Sequence, residues 1–567
     1  MASSKRSSQK LFIVSLLFIS VSLTFLVFSF HPKPDHPEFD DHSQTVAHHH
    51  KKPLSIDAQK SWFDDLIERK IFSDRIRIGF VNVDDNVKHE YDHMRGQVET
   101  VNVDFRPVSG ELKWEDFFPE WIDEDARWNE PSCPEVPMPR LEDYGDLDVI
   151  VARVPCGNGT EEQGIRDLLR LQVNLVVANL AVVNGLTTGG DDRTVSVIFI
   201  GSCGPMQEIF RCDDLMTHLG EYWLYKPELR RLRQTVQMPV GSCLIAPYHK
   251  QTGNKEIQES KMAEYSTARK LNDNELYPQR VAYVTVLHSS EAYVCGAIAL
   301  AQSIIQSNST NDLVLLHDSK LTPRSVNGLR DAGWKTKKIQ PIRSPFARKD
   351  SYNEWNYSKL RLWQLTDYDK LIFIDADLII LKNMDIFFAY PQLSASPNDR
   401  VLFNSGIMVI EPSKCLFEDM MAKSNKLRSY NGGDQGFLNE VFTWWHRLPV
   451  TLNYLKIFNN GEENPDHQMK NGTYTIHFLG LKPWACYKDY DCNWDMEDRN
   501  KFASDSAHER WWKVYDTMPK KLQEFCGLTK HMDARIKKWR GIAQKANLSN
   551  GHWKISAKDP RQYHLIQ

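Results

Sequence analysis

This chain has little cysteine and no excess of positive charge, and each shortage removes a class of function. Ten cysteines in 567 residues are too sparse for a disulfide-built scaffold. None of their spacings is that of a zinc site, since Cys486 and Cys492 stand too far apart and no matching pair accompanies them. A formal charge of -4 gives no overall basic field, so no nucleic acid partner is expected. No catalytic constellation stands out in the first half. Gly201-Ser-Cys-Gly lacks the full glycine pattern of a phosphate loop and reads as a turn.

What is present begins with twenty uncharged residues, Leu11 to Phe30. As a helix they reach about 30 Å, the thickness of a bilayer core. Lys5, Arg6 and Lys10 precede them, while Asp35, Glu38, Asp40 and Asp41 follow with Lys33. That asymmetry predicts a signal anchor over 11–30, with a cytosolic tail at 1–10 and the rest across the membrane, a single-pass type II arrangement. A cleaved signal peptide is the competing reading, but His31-Pro-Lys-Pro stands where a small-x-small site belongs. Residues 31–68, rich in His, Pro and Asp, read as a solvated stem. Five glycosylation sequons, at Asn158, Asn308, Asn356, Asn471 and Asn547, fit a lumenal chain. Five cysteines fall between Cys133 and Cys243, which predicts pairing within one domain.

Two folded parts are expected. In 69–248, the β-type runs Ile76–Val83, Leu147–Val154 and Val195–Gly201, with a helical stretch from Glu161 to Asn184, predict an α/β layer. Residues 249–279 are charged and polar and read as a linker. The second part, 280–526, opens with a strand (Val281–Leu287), a small-residue helix (Ala292–Ser307) and another strand (Asp312–His317). Ligands of such sheets sit at the carboxyl ends of the strands, here His288-Ser-Ser and His317-Asp-Ser. Residues 527–567 are basic and polar and read as a solvated helix and tail.

A later apolar run, Leu371-Ile-Phe-Ile, ends in Asp375-Ala-Asp377. Two carboxylates one residue apart at the tip of a buried strand can reach one hard cation, and a cation held there can neutralise a nucleotide diphosphate. Asp123/Asp125, Asp146/Asp148, Asp367/Asp369 and Asp489/Asp491 share the spacing but not the strand. They read as solvated acidic turns.

From Val281 to about Asp498 the chain resembles glycosyltransferase family 8, which contains glycogenin and the plant galacturonosyltransferases. The blocks that carry the likeness run in order: Ala282-Tyr-Val-Thr with Tyr293; Tyr357-Ser-Lys-Leu-Arg-Leu-Trp-Gln-Leu365; Phe373-Ile-Asp-Ala-Asp377; Phe403-Asn-Ser-Gly406; Gly432-Gly-Asp-Gln-Gly436; and His477-Phe-Leu-Gly-Leu-Lys-Pro-Trp484. The resemblance implies an α/β fold of GT-A type, preceded by the anchor, the stem and the additional α/β domain. It implies a metal held by Asp375, Asp377 and His477; that ligand set suits Mn2+ better than Mg2+ because of the imidazole. It places Tyr293 near the nucleobase and Lys359 toward the donor. Ala376 lies between the metal carboxylates. Asn404, Ser405 and Gly406 belong with the donor sugar, Gly480 with close backbone approach to the phosphates, and Lys482 with the leaving diphosphate. One residue fewer separates Gly480 from Lys482 than in glycogenin. Asp434 and Gln435 fall closest to the chemistry. The family transfers sugar with retention, and the same-face route is favoured over a covalent intermediate.

Taken whole, the chain resembles the plant glucuronosyltransferases that decorate xylan, on Cys486-Tyr-Lys-Asp-Tyr-Asp-Cys-Asn-Trp494 and Trp511-Trp-Lys-Val-Tyr-Asp as well. This implies UDP-glucuronate as donor, xylan as acceptor and a Golgi membrane location. Arg343, Arg348 and Lys349 are candidates for the glucuronate carboxylate, and Trp355, Tyr357, Trp484 and Trp494 for an acceptor groove. The N-terminal domain is open to acceptor, to partner proteins or to a second copy in a homodimer. Two alternatives stand: the same fold with another UDP-sugar (galacturonosyl or glycogenin-like glucosyl transfer), and a non-catalytic membrane lectin or scaffold.

Overall fold

The computed structural model describes residues 76–91, 98–117, 135–156, 166–186, 192–236 and 280–561, the last span with short breaks at 400, 459–463, 465, 549–550 and 560. The expected anchor, stem and linker, and the sequon at Asn158, lie outside the described residues.

The first sheet comprises β1 (Ile76–Val81), β2 (Val98–Val103), β3 (Val149–Arg153), β4 (Ser196–Ile200), β5 (Leu215–Leu219) and β6 (Tyr222–Tyr225), in the order β2-β1-β3-β4-β6-β5. Its first four strands run parallel, and β6 and β5 close it antiparallel. Continuous apolar runs in β3 and β4 are what a sheet covered on both faces requires. Helix α1 (Leu168–Gly185) packs there, capped by the Asp167 carboxylate, which accepts from Arg170 N. It is apolar and long enough to cross a membrane, yet it is buried inside this fold. The Gly201–Gly204 segment is a turn, pinned by the Cys156–Cys203 disulfide.

The second sheet contains β7 (Val281–Leu287), β8 (Asp312–His317), β9 (Lys335–Lys338) and β10 (Lys370–Ile374), all parallel. After β11 (Leu378–Ile380), which leaves this sheet, β12 (Ser394–Pro397), β13 (Phe403–Ile410) and β14 (His446–Arg447) complete the order β14-β12-β13-β10-β7-β8-β9. Strand β13 runs antiparallel to β10. A small third sheet pairs β11 with β15 (Tyr454–Leu455) and β16 (Thr475–His477) in the order β11-β16-β15. Helix α2 (Val294–Gln306) lies against β11, and its small residues permit close approach. A β-carbon on Gly296 would sit 2.4 Å from the Ala376 carbonyl oxygen.

The two sheets belong to one compact unit. They join at the end of β10 and β13 remote from Asp375. There Arg211 reaches Glu411 at 2.8 Å, Lys370 reaches Glu411 at 3.4 Å and Gln234 at 3.1 Å, and Glu208 accepts from Thr443 N at 2.9 Å. Cys212 is bonded to Cys415. The expectation that the cysteines of the first domain pair within it therefore fails for Cys212, which the fold sets against the start of a helix in the second part. Cys295 pairs with Cys526 and Cys486 with Cys492, so every described cysteine is bridged.

The C-terminal residues are not a solvated tail. Helices α3 (Asp434–Val441) and α4 (Asp505–Thr517) precede α5 (Lys530–Ala546), whose inner face buries Asp533, Ile536 and Ala543. Beyond it, Arg561 is fully buried. It pairs with Asp559 and donates to the carbonyls of Trp484, Cys486 and Cys526. A basic composition concealed this, because it does not show that Arg540 and Arg561 donate to backbone carbonyls within the fold.

Candidate active site

The turn between β10 and β11 carries Asp375-Ala376-Asp377. Asp375 N donates to Gly406 O at 2.9 Å, which fixes the turn to β13. Strand β11 pairs with β16 so that Leu378 faces His477, and Phe478 N donates to Asp377 O at 3.0 Å. Register alone therefore brings a histidine from far along the sequence beside the acidic pair. Oxygens of Asp375 and Asp377 and a ring nitrogen of His477 all lie within 4.8 Å of one another. A β-carbon on Gly406 would meet the His477 ring at 2.7 Å, so glycine is required for that approach.

Two ammonium groups balance the carboxylates. Lys482 Nζ lies 2.6 Å from Asp377, and Lys359 Nζ lies 3.0 Å from Asp375 and 2.8 Å from Asp434. Burial alone would lower the Lys359 ammonium, but Asp375 and Asp434 outweigh it and raise it. Burial pushes Asp375 up to about 6, with Asp377 adding to the rise and Lys359 opposing it. Burial acts the same way on Asp377, yet Lys482 and His477 overcome it and hold that carboxyl well below the usual range.

Lys359 stands on a 3-10 helix, Asn356–Gln364, rather than an α-helix. Runs of this length are uncommon and often mark functional stretches. Lys359 points inward, over the Phe373 ring at 4.9 Å, while Arg361 points out to Gln364 at 2.8 Å. Asp434 opens α3, and its Oδ2 also accepts from Ser405 Oγ at 2.8 Å. Gln435 Oε1 accepts from Ser405 N at 3.2 Å, and its Nε2 donates to the Tyr430 hydroxyl at 2.6 Å. Asn404 Oδ1 accepts from Gly406 N at 2.9 Å. Gly480 turns the chain with φ +76°, and Tyr293 meets Trp484 edge-on at 5.8 Å.

The candidate donor and metal residues thus gather at one rim. Others had no signal in sequence. Asn453 bridges the site: its Oδ1 lies 3.1 Å from His477 Nδ1, and its Nδ2 donates to Asn404 Oδ1 at 2.9 Å. An amide oxygen can only accept, so the proton sits on Nδ1. That leaves Nε2, 3.4 Å from Asp377 Oδ1, free to ligate. A cavity of about 300 Å³ behind Tyr293, Gly480 and Lys482 is also lined by Arg499, His531 and Arg535, the last two from α5.

Several expectations are corrected. Tyr357, Trp484 and Trp494 are buried in the core and cannot form an acceptor groove; Trp494 is stacked on His467 and His552. Trp355 is half-buried. Arg343 pairs with Glu354 at 2.9 Å. Asp491 is no solvated turn residue: it is buried and bonded to Lys456 at 2.6 Å. Among the described residues the second cluster with metal-ligand geometry, Cys212, Asp213 and Cys415, has both sulfurs committed to a disulfide.

The donor set fits a divalent ion. Two carboxylates and an imidazole suit a metal that accepts nitrogen as well as oxygen. Comparison with known proteins identifies the family. Residues 51–243 match the GUX1-5 N-terminal domain, and residues 284–392 match glycosyl transferase family 8. An Arabidopsis thaliana protein named putative UDP-glucuronate:xylan alpha-glucuronosyltransferase 5 is 51% identical over 99% of this chain and 99% of its own length. UDP-glucuronate:xylan alpha-glucuronosyltransferase 2 from the same plant is 48% identical over 88% of this chain and 83% of its own. Human glycogenin-1 is 27% identical over 44% of this chain and 75% of its own. This chain belongs to glycosyltransferase family 8 and, within it, to the UDP-glucuronate:xylan alpha-glucuronosyltransferase group.

Proposed function

We propose that this chain is a retaining GT-A type glycosyltransferase that moves an α-glucuronosyl unit from UDP-glucuronate to xylose units of a xylan backbone. It acts as a type II protein of the Golgi membrane, with Mn2+ bound. One observation carries the enzyme reading: the donor atoms of Asp375, Asp377 and His477 converge within 4.8 Å. A binding-only scaffold has no need of that set. The donor and acceptor are those in the relatives' names.

The geometry supports the following roles. Asp375, Asp377 and His477 would hold the ion, and its charge would offset that of the leaving diphosphate. Lys482 adds positive charge at the same edge. Asp434 Oδ2 is already engaged by Lys359 and Ser405. A carboxylate so held is a poor nucleophile but a good support for positive charge at the anomeric carbon. That favours same-face attack: the acceptor hydroxyl oxygen bonds to the anomeric carbon as the bond to the phosphate oxygen breaks, and the leaving phosphate takes the hydroxyl proton. Gln435, oriented by Ser405 N and Tyr430, presents its amide dipole beside this centre.

The test is incubation of the full chain with Mn2+, UDP-glucuronate and labelled xylohexaose, beside the Asp375→Ala/Asp377→Ala variant. The expected result is a mass gain of one glucuronosyl unit, reduced at least about a thousandfold in the variant. Metal-dependent release of UDP without transfer would refute the xylan acceptor. Equal activity of wild type and variant would refute the metal site.

A further inference from the structure

Among the described residues, the exposed aromatic side chains are Tyr293, Tyr352 and Tyr430, at 38%, 84% and 53%. All three stand at the catalytic rim. Tyr293 is on the diphosphate side, close to Lys482. The other two lie beside Gln435 and the loop that faces it. Tyr430 accepts the Gln435 amide proton at 2.6 Å. Tyr352 stands on the facing loop, where Asn353 Nδ2 donates to Asn431 O at 2.7 Å. The two phenols are near enough to act on each other electrostatically.

Core packing does not account for rings this open to water. Large exposed aromatics that converge beside a site are recognition surfaces. Tyrosine offers a flat, amphipathic face at a low entropic cost, having few rotatable bonds. The polar groups beside the rings are the amides of Asn353, Asn431 and Gln435 and, near Tyr430, the carboxylate of Asp399, which disfavours an anionic chain. Amides satisfy uncharged hydroxyls, and ring faces match the C–H faces of pyranoses. We propose that Tyr352 and Tyr430 form the acceptor platform, on which an unbranched, uncharged pyranose chain lies with one hydroxyl directed past Gln435. This rests on the transferase reading above and adds where the acceptor binds.

The full chain, solubilised in detergent with UDP and Mn2+, is titrated with xylohexaose by calorimetry. Tyr352→Ala and Tyr430→Ala are each expected to weaken binding about tenfold. Kinetically, Tyr352→Ala raises the KM for xylohexaose by a similar factor without moving the KM for UDP-glucuronate, and Tyr352→Trp restores it. The rescue separates loss of a ring from loss of fold. Hexaose binding that ignores both alanine substitutions, or no binding by the wild type, overturns the platform. Release of UDP from UDP-glucuronate by the same wild-type preparation reports on the transferase reading alone. If that release persists while the platform fails, only the platform is wrong; if it is absent, the donor reading falls while calorimetry still decides the platform.

Discussion

At the scale of single residues, the candidate metal site depends on a side chain outside its ligand set: Asn453 lies 3.1 Å from His477 Nδ1 and donates to Asn404 Oδ1. Asp375 and Asp377 declare themselves because four strand-type residues precede them. Asn453 gives no such sign: a lone asparagine among Leu452, Tyr454 and Leu455 belongs to no motif. Its function exists only through the pairing of β16, which sets His477 Nδ1 against it at 3.1 Å. Loss of a partner that fixes a ligand's tautomer typically weakens metal binding about 10- to 100-fold. Asn453→Ala should do so in a Mn2+ titration, with donor KM measured at saturating metal unchanged; unaltered metal affinity would assign Asn453 to packing alone. Protons should compete at the same centre. Asp375 stands at about 6, chiefly because it is buried. It must be ionised to ligate, so apparent metal affinity holds above that pH and falls as pH drops below it, about tenfold per unit for one proton. A metal affinity flat from pH 7 to 5 would contradict this sign.

At the scale of elements, the central strands of the second sheet were legible. The runs at β7, β8 and β10 are apolar throughout, and a strand covered on both faces has to be. The segment around Lys359 is a 3-10 helix of nine residues, and its sequence pattern does not distinguish 3.0 from 3.6 residues per turn. Within it the Lys359 ammonium sits between Asp375 and Asp434. The aromatic residues misled for a related reason, since composition counts tryptophans but not which way they face. The Gly480 loop is where local chemistry and element meet. Gly480 has φ +76°, and a β-carbon there would lie 2.5 Å from Asn493 Oδ1. Gly480→Ala should therefore cost about 1–3 kcal/mol of local strain and shift Lys482 away from Asp377. The measurement is the donor KM, expected to rise about tenfold with acceptor KM unmoved; a wild-type donor KM would show that the loop absorbs the change.

At the scale of the whole molecule, the two sheets meet at the rim opposite the chemistry. Lys370 begins the strand that ends before Asp375, and Glu411 follows the strand whose other end carries Asn404, Ser405 and Gly406. The N-terminal part thus grips both strands from behind. Its ion pairs are buried, with Glu411 facing Lys370 and Arg211. Breaking one member of such a set leaves an uncompensated charge. None of this was legible beforehand, because contacts between residues about two hundred positions apart have no sequence signature. The disulfide between Cys212 and Cys415 closes a loop of 203 residues across this junction. A link spanning so long a loop restricts the unfolded chain strongly, and native disulfides typically contribute about 2–4 kcal/mol. Cys212→Ser/Cys415→Ser should lower the melting temperature while Mn2+ affinity stays at the wild-type value, because the bond lies at the far end of the sheet from His477. A melting temperature equal to wild type would mean that the ion pairs alone hold the junction. Loss of metal affinity in a still-folded variant would mean that strain at the junction travels along β10 and β13 to the catalytic rim, and that the N-terminal part sets the geometry of the site as well as its stability.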